Sequence, residues 1–117
     1  MNCIKSEAGR IKLLLDIKKL GEDYLLTLTG GKAHAGAVAV GLFDKTSKRA
    51  SSSVITLPGH REDRIALDGA RQVSRATRTT TVFVVGIHFE DISPVEIEWI
   101  VSTSEKMLAE FIKKVES

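Results

Sequence analysis

The spacing of apolar and polar residues predicts four β-strands in the first half of the chain. Between residues 10 and 20 apolar side chains alternate with charged ones, which is the pattern of a strand with one buried face. After a short turn, a second strand at 24–29 is expected to pair with the first as a hairpin. Strand three at 34–43 and strand four at 50–57 follow, before a Pro-Gly pair ends the run.

A helix and a fifth strand come next. Small and apolar residues recur every three or four positions from 61 to 78, and Glu62 and Asp63 place acidic side chains in the first turn. The run 82–87 is continuously apolar, as in a central strand that is covered on both faces or in a buried inner strand. Because a helix joins strands four and five, we expect these two strands to run parallel without having to be adjacent.

The second helix has the clearest start in the chain. Ser93 as N-cap, Pro94 at the first helical position and Glu96 at the third form the signature of a capping box. Trp99 falls outside the apolar stripe of this helix and is expected either at a subunit interface or in half-buried packing. The stripe consists of Ile97, Ile100, Val101, Leu108, Phe111, Ile112 and Val115.

The element order ββββαβα predicts an α+β fold, a two-layer sandwich in which two helices cover one face of a mostly antiparallel sheet. The 117 residues, of which 43% are apolar and 27% charged, correspond to a single domain over residues 1–117. A chain of this length buries about two-thirds of its unfolded surface, so its core needs neither a metal nor a disulfide.

Charge, cysteine content and hydropathy bound the partners and the compartment. The net charge of +2 is too small for a general nucleic-acid-binding protein, so we expect no nucleic-acid partner. Cys3 is the single cysteine, lies in an N-terminal stretch that is expected to fray, and favours a reducing compartment. The sequence has neither an apolar run of about 20 residues nor a signal peptide, so we expect a cytoplasmic protein without a membrane segment.

Small residues dominate strand three. Ala35, Ala37 and Ala39 lie on one face, and Gly36 begins the other. Such residues contribute little packing area in a strand, so a helix, a ligand or a neighbouring backbone is expected to approach this strand closely.

All three histidines follow glycines at the ends of predicted strands. His60 follows strand four and His88 ends strand five, so both lie at the carboxyl edge of the sheet if these strands are parallel. His34 begins strand three, which is antiparallel to strand four and therefore starts beside its end. The topology thus brings the three histidines to one edge, together with the N-termini of both helices. Their neighbours at this edge are Gly30, Gly31, Lys32, Gly36, Gly59 and Arg61.

Two chemistries suit such an edge. In the one we favour, the imidazoles donate hydrogen bonds to a phosphate alongside Lys32, Arg61 and the backbone N–H groups of the helix N-termini. In the alternative, His34, His60 and His88, with Glu90 or Asp91, hold a Zn, Mn or Fe ion that has an open coordination position, as in a metal-dependent lyase or hydrolase. The histidines are far apart in the sequence, so no local chelating motif supports the metal interpretation.

Other motifs point to fewer functions. The sequence has no P-loop, dinucleotide-binding fingerprint, nucleophile elbow or CxxC pair, so nucleophilic catalysis has no evident nucleophile. The first helix carries an arginine stripe, which is either a solvated face or a contact for RNA or an acidic protein, although stacking aromatic residues are absent from this helix. The stripe consists of Arg61, Arg64, Arg71, Arg75 and Arg78.

Three segments of the chain resemble the LpdD-like proteins, a small family described as prenylated-flavin chaperones associated with UbiD-type decarboxylases. They are GGKAHAGAVA at 30–39, PGHRE at 58–62 and GIHFEDI at 86–92, and with their spacing they cover most of the chain from Thr29 onward. The family pattern has a bulkier residue than Ala35 after the first histidine and more often a lysine than Arg61. Neither difference removes a histidine.

The resemblance implies an accessory protein rather than an enzyme. Such a protein would bind prenylated FMN, or FMN, and store, mature or deliver the flavin cofactor to a UbiD-type apo-decarboxylase. We therefore expect a cytoplasmic homodimer that holds the flavin phosphate at the histidine-bearing edge. The isoalloxazine ring would lie against strand three, where Gly36 and the alanines leave room.

Overall fold

The computed structural model describes residues 2–57 and 62–116, and this part of the chain forms six strands and two helices. The α+β class, the mostly antiparallel sheet and the two helices are confirmed. In chain order the elements are β1 (Cys3–Ala8), β2 (Ile11–Leu20), β3 (Asp23–Gly31), β4 (Ala37–Asp44), β5 (Arg49–Thr56), α1 (Asp63–Thr77), β6 (Thr81–His88) and α2 (Pro94–Glu116).

The strand β1 extends the predicted order by one element. It pairs antiparallel with β2, and Ile4, opposite Leu15, is buried. The N-terminal stretch, which was expected to fray, belongs to the sheet: Cys3 begins β1, and the backbone carbonyl of Asn2 accepts a hydrogen bond from the Ile17 N–H at 2.7 Å. Ile4 is the one buried side chain of this strand, which is too weak a signal for hydrophobic alternation to reveal.

The sheet has the order β1-β2-β3-β6-β4-β5. β6 pairs parallel with β3 on one side and antiparallel with β4 on the other. Because β5 is antiparallel to β4, β5 and β6 run in the same direction with β4 between them. The predicted parallel direction of these two strands is therefore confirmed.

Both helices cover one face of the sheet and run parallel to each other. α1 packs on β4, β5 and β6, whereas α2 packs on α1 and reaches β1 and β2. The two helices share a direction because each follows one of two parallel strands, β5 and β6, and returns across the sheet. The core between the layers includes Leu13, Leu15, Leu26, Leu28, Phe83, Val85, Ala66, Ala70, Val73, Ile100, Met107, Leu108 and Phe111.

The small residues of β4 allow α1 to approach the sheet. Ala37 and Ala39 are fully buried on the helical face, and the Ser52 hydroxyl of the neighbouring strand donates a hydrogen bond to the Leu67 carbonyl at 2.7 Å. The close approach predicted from the small residues is thus made here by a helix. This packing also leaves the alanine face of β4 covered, so a flavin ring cannot lie against it.

The capping box predicted for α2 is confirmed. The Glu96 N–H donates to the Ser93 hydroxyl at 3.2 Å, and the Ser93 N–H donates to the Glu96 carboxylate at 3.0 Å. Ile97 and Val101, which the sequence placed in the apolar stripe, are exposed, and Trp99 is half-buried against the core. Among the described residues, no helix combines the length and apolarity that a membrane span requires.

Candidate functional site

The candidate site lies where β3 and β6 end side by side. Gly31 and His88 are register partners at the carboxyl ends of these parallel strands, and β4 begins one strand away at Ala37. The connection 32–36 therefore crosses the end of β6. We call the group formed by Lys32, His34, Glu62, His88 and Glu90 the histidine edge.

His34 lies in the connection before β4 and not within a strand, and both of its ring nitrogens are engaged. Nδ1 lies 3.0 Å from the Lys32 carbonyl oxygen, which can only accept, so Nδ1 carries a proton. Nε2 lies 3.2 Å from Oε2 of Glu62, and the His34 and Glu62 side chains are 22% and 11% exposed. This second contact is an ion pair when the imidazole carries both protons.

Glu62 is a site residue that sequence analysis placed only in the first turn of the helix. Its carboxylate also accepts a hydrogen bond from the Ile87 N–H at 3.3 Å, a donor that faces the side of β6 where β4 has not yet begun. A Cβ at position 36 would overlap this carboxylate, so Gly36 provides room for Glu62. The signal that could have revealed Glu62 was its position in the PGHRE segment of the family resemblance.

A second glycine fixes the position of the His34 backbone against β6. A Cβ at position 86 would overlap the His34 carbonyl oxygen, so only glycine allows the connection to cross the strand here. The Gly36 N–H then donates to the Val85 carbonyl at 3.0 Å, which begins the pairing of this segment with β6. Gly36 and Gly86 thus hold the segment that carries His34.

His88 is the more accessible histidine. Its ring centroid lies 6.4 Å from that of His34, with the ring planes at 77°, and its Nε2 lies 3.2 Å from the Glu90 carboxylate. Within the described residues its Nδ1 has no hydrogen-bond partner. The His88 carbonyl accepts a hydrogen bond from the Lys32 N–H at 3.0 Å, so backbone contacts hold Lys32 beside His88.

The glycine pair at the end of β3 lies against an aromatic ring of the chain itself. The Phe89 ring packs on Gly30 and Gly31, and the Arg10 guanidinium lies over this ring, 5.9 Å from its centroid. Arg10 also forms two hydrogen bonds of 3.0 Å with the Glu96 carboxylate at the start of α2. This stack closes one side of the histidine edge.

Both helices begin at this edge, as the topology predicted, but their N-termini carry carboxylates of the chain itself. Glu62 is the N-cap residue of α1, and the Arg64 N–H donates to the Asp63 carboxylate at 3.0 Å. At α2, hydrogen bonds from Arg10 and from the Ser93 N–H lower the pKa of Glu96 to about 2. An anion at this edge would therefore depend on Lys32 and His88 more than on the helix N-termini.

The structure brings together those predicted site residues that it describes. His34, His88, Lys32, Gly30, Gly31 and Gly36 lie at one edge of the sheet. Gly59, His60 and Arg61 lie outside the described residues. No cluster of three or more His, Cys, Asp or Glu residues that could hold a metal ion occurs within 2–57 and 62–116. The predicted Zn, Mn or Fe site from His34, His60, His88 and Glu90 is therefore not supported by the residues that the structure describes.

The arginine stripe of α1 extends to the opposite end of the molecule. Arg71, Arg75 and Arg78 line a cleft of about 380 Å³ together with residues near the end of α2, whereas Arg61 lies outside the described residues. Because both helices end here, the arginines complement the partial negative charge of two helix C-termini. This arrangement gives Arg75 and Arg78, at the C-terminal end of the stripe, a structural role.

Comparison with known proteins gives a family and a fold. The model of the prenylated flavin chaperone LpdD-like domain matches residues 7–116. The crystal structure of a novel chaperone complex for yeast 20S proteasome assembly contains a chain of similar fold, with a TM-score of 0.62. The two chains are 12% identical in sequence, and the superposition covers 98% of this chain and 97% of that chain. No relative was found among curated proteins.

Proposed function

Because the chain belongs to the family of LpdD-like prenylated flavin chaperones, we propose that it binds prenylated FMN, or FMN, by the phosphate at the histidine edge. It then stores, matures or delivers the cofactor to a UbiD-type decarboxylase. The observation that carries the proposal is the convergence of His34, His88 and Lys32 at the ends of β3 and β6. We propose no catalytic step for the chain, and we place it in the cytoplasm as a homodimer.

The donors of the histidine edge fit a phosphate. Lys32 is exposed and cationic, and His88 presents Nδ1 away from its contact with Glu90. A hydrogen bond from Nδ1 to a phosphate oxygen requires a ring that carries both protons, because Nε2 already faces a carboxylate. Such a charged donor forms a stronger bond with phosphate than a neutral one does.

His34 acts in this proposal as a positioning residue. Its Nδ1 holds the Lys32 carbonyl, and its Nε2 is joined to Glu62, so the ring fixes the connection that carries Lys32. The phosphate contact is therefore assigned to Lys32 and His88, beside the glycines Gly30, Gly31 and Gly36. Gly59, His60 and Arg61 are proposed to complete the binding site from the segment between β5 and α1.

An exposed site suits a protein that must release its cofactor. The His88 and Glu90 side chains remain accessible at the edge of the sheet, so a bound flavin would be open to a second protein. The chemistry of the decarboxylation belongs to the flavin once it is in its enzyme. The residues of this chain need only bind the phosphate and leave the ring accessible.

Titration of the purified protein with prenylated FMN under anaerobic conditions, and separately with FMN, tests the proposal. Lys32→Ala and His88→Ala are each expected to weaken flavin binding about 10-fold, because each removes a charge-assisted hydrogen bond to the phosphate. Lys113→Ala is the matched control, since Lys113 is an exposed lysine in the last turn of α2. Fluorescence quenching or calorimetry measures the affinity.

Two results would contradict the proposal. One is that a correctly folded sample binds neither flavin. The other is that Lys32→Ala and His88→Ala bind as tightly as Lys113→Ala, which would move the phosphate away from the histidine edge.

A further inference from the structure

We infer that the sheet face opposite the helices is the surface through which two copies of this chain associate. The inference identifies the interface of the homodimer in the proposed function, but it does not depend on cofactor binding. It starts from β6, whose residues Val82 to Val85 are all apolar although the helices cover only one side of the strand.

The outward residues of the central strands form two apolar rows. Leu25, Val82 and Val40 are register neighbours across β3, β6 and β4, and so are Val84, Val38 and Ile55 across β6, β4 and β5. Their inward neighbours, such as Phe83 and Val85, are fully buried under the helices, so the rows lie on the other face. Val40 is 37% and Ile55 is 72% exposed in the single chain.

The same sheet also shows what a water-facing strand of this protein looks like. On β2 the inward Leu13, Leu15 and Ile17 are buried, whereas the outward positions include the charged residues Lys12, Asp16 and Lys18. An antiparallel sheet with one face in water normally has this alternation along its strands. The outward positions of β6 and β4 are apolar instead, as is Leu25 on β3, which indicates a covered surface at the centre of the sheet.

The size of the face matches a second copy of the chain. The five strands from β2 to β5 in the sheet lie about 4.8 Å apart, are each about eight residues long at about 3.4 Å per residue, and present a face of about 650 Å². A stable interface of standard size buries about that area on each partner. Two sheets of this kind pack face to face at about 10 Å with their outward side chains interdigitated.

The charges at the margins permit this pairing. The charged side chains flank the apolar rows on β2, and the opposite flank on β5 carries Ser51, Ser53 and, at the start of the strand, Arg49. A twofold axis that runs along β6, parallel to the strands, superimposes the apolar rows and places β2 of one copy over β5 of its partner. Lys18 and Ser53 belong to the same register row, so the lysine of one copy then lies over the serine of its partner and not over Arg49.

Sedimentation equilibrium of the cofactor-free full chain tests the inference. The parent protein is expected at twice the chain mass of 12.8 kDa at tens of micromolar. Val40→Lys is expected to weaken dimerisation at least ~100-fold, because it buries an unpaired ammonium group in the interface. The matched control is Val101→Lys on α2, where Val101 is 42% exposed on the helical side, and it should leave the mass unchanged.

A second variant keeps the test decisive if Val40→Lys fails to fold. Ile55→Lys changes a side chain that is largely exposed in the single chain, so the protomer should fold while the dimer weakens. A parent protein that is monomeric at these concentrations overturns the inference, as do Val40→Lys and Ile55→Lys proteins that dimerise like the parent. Failure of flavin binding would leave the dimer mass as expected, which separates this result from failure of the proposed function.

Discussion

Glu62 joins three segments of the chain through one carboxylate. It belongs to the start of α1, and it contacts the ring of His34 in the connection before β4 and the Ile87 N–H of β6. Burying any of these groups without a partner would raise the free energy of the folded protein. The side chain therefore replaces the hydrogen bond that β4 would have supplied to β6 and fixes the histidine at the same time.

Removal of this carboxylate is expected to destabilise the fold. Glu62→Ala leaves the Ile87 N–H and the His34 Nε2 without this acceptor and should lower the free energy of unfolding by about 2 kcal/mol. Both contacts are made by Oε2 of Glu62, and in Glu62→Gln the amide oxygen can take this position and accept from both donors, so the change should cost less than half as much. Urea denaturation measures both values.

The comparison variant for Glu62 is Glu90→Ala, which removes the carboxylate beside the other histidine. Glu90 is exposed, so its loss should change the stability by less than about 0.5 kcal/mol. Equal losses for Glu62→Ala and Glu90→Ala would show that the buried contacts of Glu62 do not stabilise the protein.

At the level of residues, the direction of the backbone could be predicted from the sequence, whereas the contacts between side chains could not. The convergence of His34 and His88 followed from the direction of the strands that they flank. The contact of Glu62 with His34 depends on the room left by Gly36 and on the start of β4 at Ala37, so that two residues separate His34 from the strand. Neither quantity can be obtained from the spacing of residues along the chain.

The start of α2 is fixed both by its own residues and by a distant one. Ser93 and Glu96 form the capping box, and Arg10, in the turn between β1 and β2, adds two hydrogen bonds to the same Glu96 carboxylate. These contacts all favour the ionised form and lower the pKa of Glu96 from 4.5 to about 2. The helix start is thereby attached to the β1–β2 hairpin.

The stabilisation by Glu96 should depend on pH. Because the pKa in the folded protein is below its ordinary value, the contribution is complete above about pH 4.5 and disappears as the pH falls toward 2. Glu96→Gln should therefore lower the urea midpoint near pH 6, and the difference from the parent protein should shrink between pH 4.5 and 2.

The exposed Glu98 lies in the same turn of α2, so Glu98→Gln serves as the control in these measurements. It should leave the midpoint close to that of the parent protein at every pH. A difference between parent and Glu96→Gln that stayed constant from pH 6 to pH 2 would contradict the assignment of this stabilisation to the ionised carboxylate.

At the level of elements, local signals were predictable and tertiary ones were not. The capping box of α2 is encoded within four residues, so the sequence located it. β1 is held by pairing with β2 and by the burial of Ile4. Neither the pairing nor the burial produces a pattern within the six residues of the strand. Ile97 and Val101 continue a helical stripe but project beyond the layer that α1 and the sheet cover, so their exposure depends on where the neighbouring helix lies.

The topology of the whole molecule separates its two ends. β6 inserts between β3 and β4, and both helices start at the edge where β3 and β6 end, so the histidine edge and the arginine cleft lie at opposite ends of the helical layer. The class of fold followed from the element order. The insertion of β6 between two earlier strands was not predicted, because pairing over such long separations leaves no periodic signal in the sequence.

Amide hydrogen exchange should show this organisation directly. β3 and β6 are paired on both sides and bury Leu26, Leu28, Phe83 and Val85, so their amides should exchange only through global unfolding. The edge strand β1 buries Ile4 alone, and its amides should exchange at least ~100-fold faster through local opening.

Because the histidine edge is built on the ends of β3 and β6, added flavin should slow exchange at Lys32 and Gly36, whose N–H groups bond to β6, and leave β1 unchanged. Exchange measured by NMR that is equally slow in β1 and β6 would contradict a stable centre with a weaker edge, and flavin protection confined to β1 would place the cofactor elsewhere.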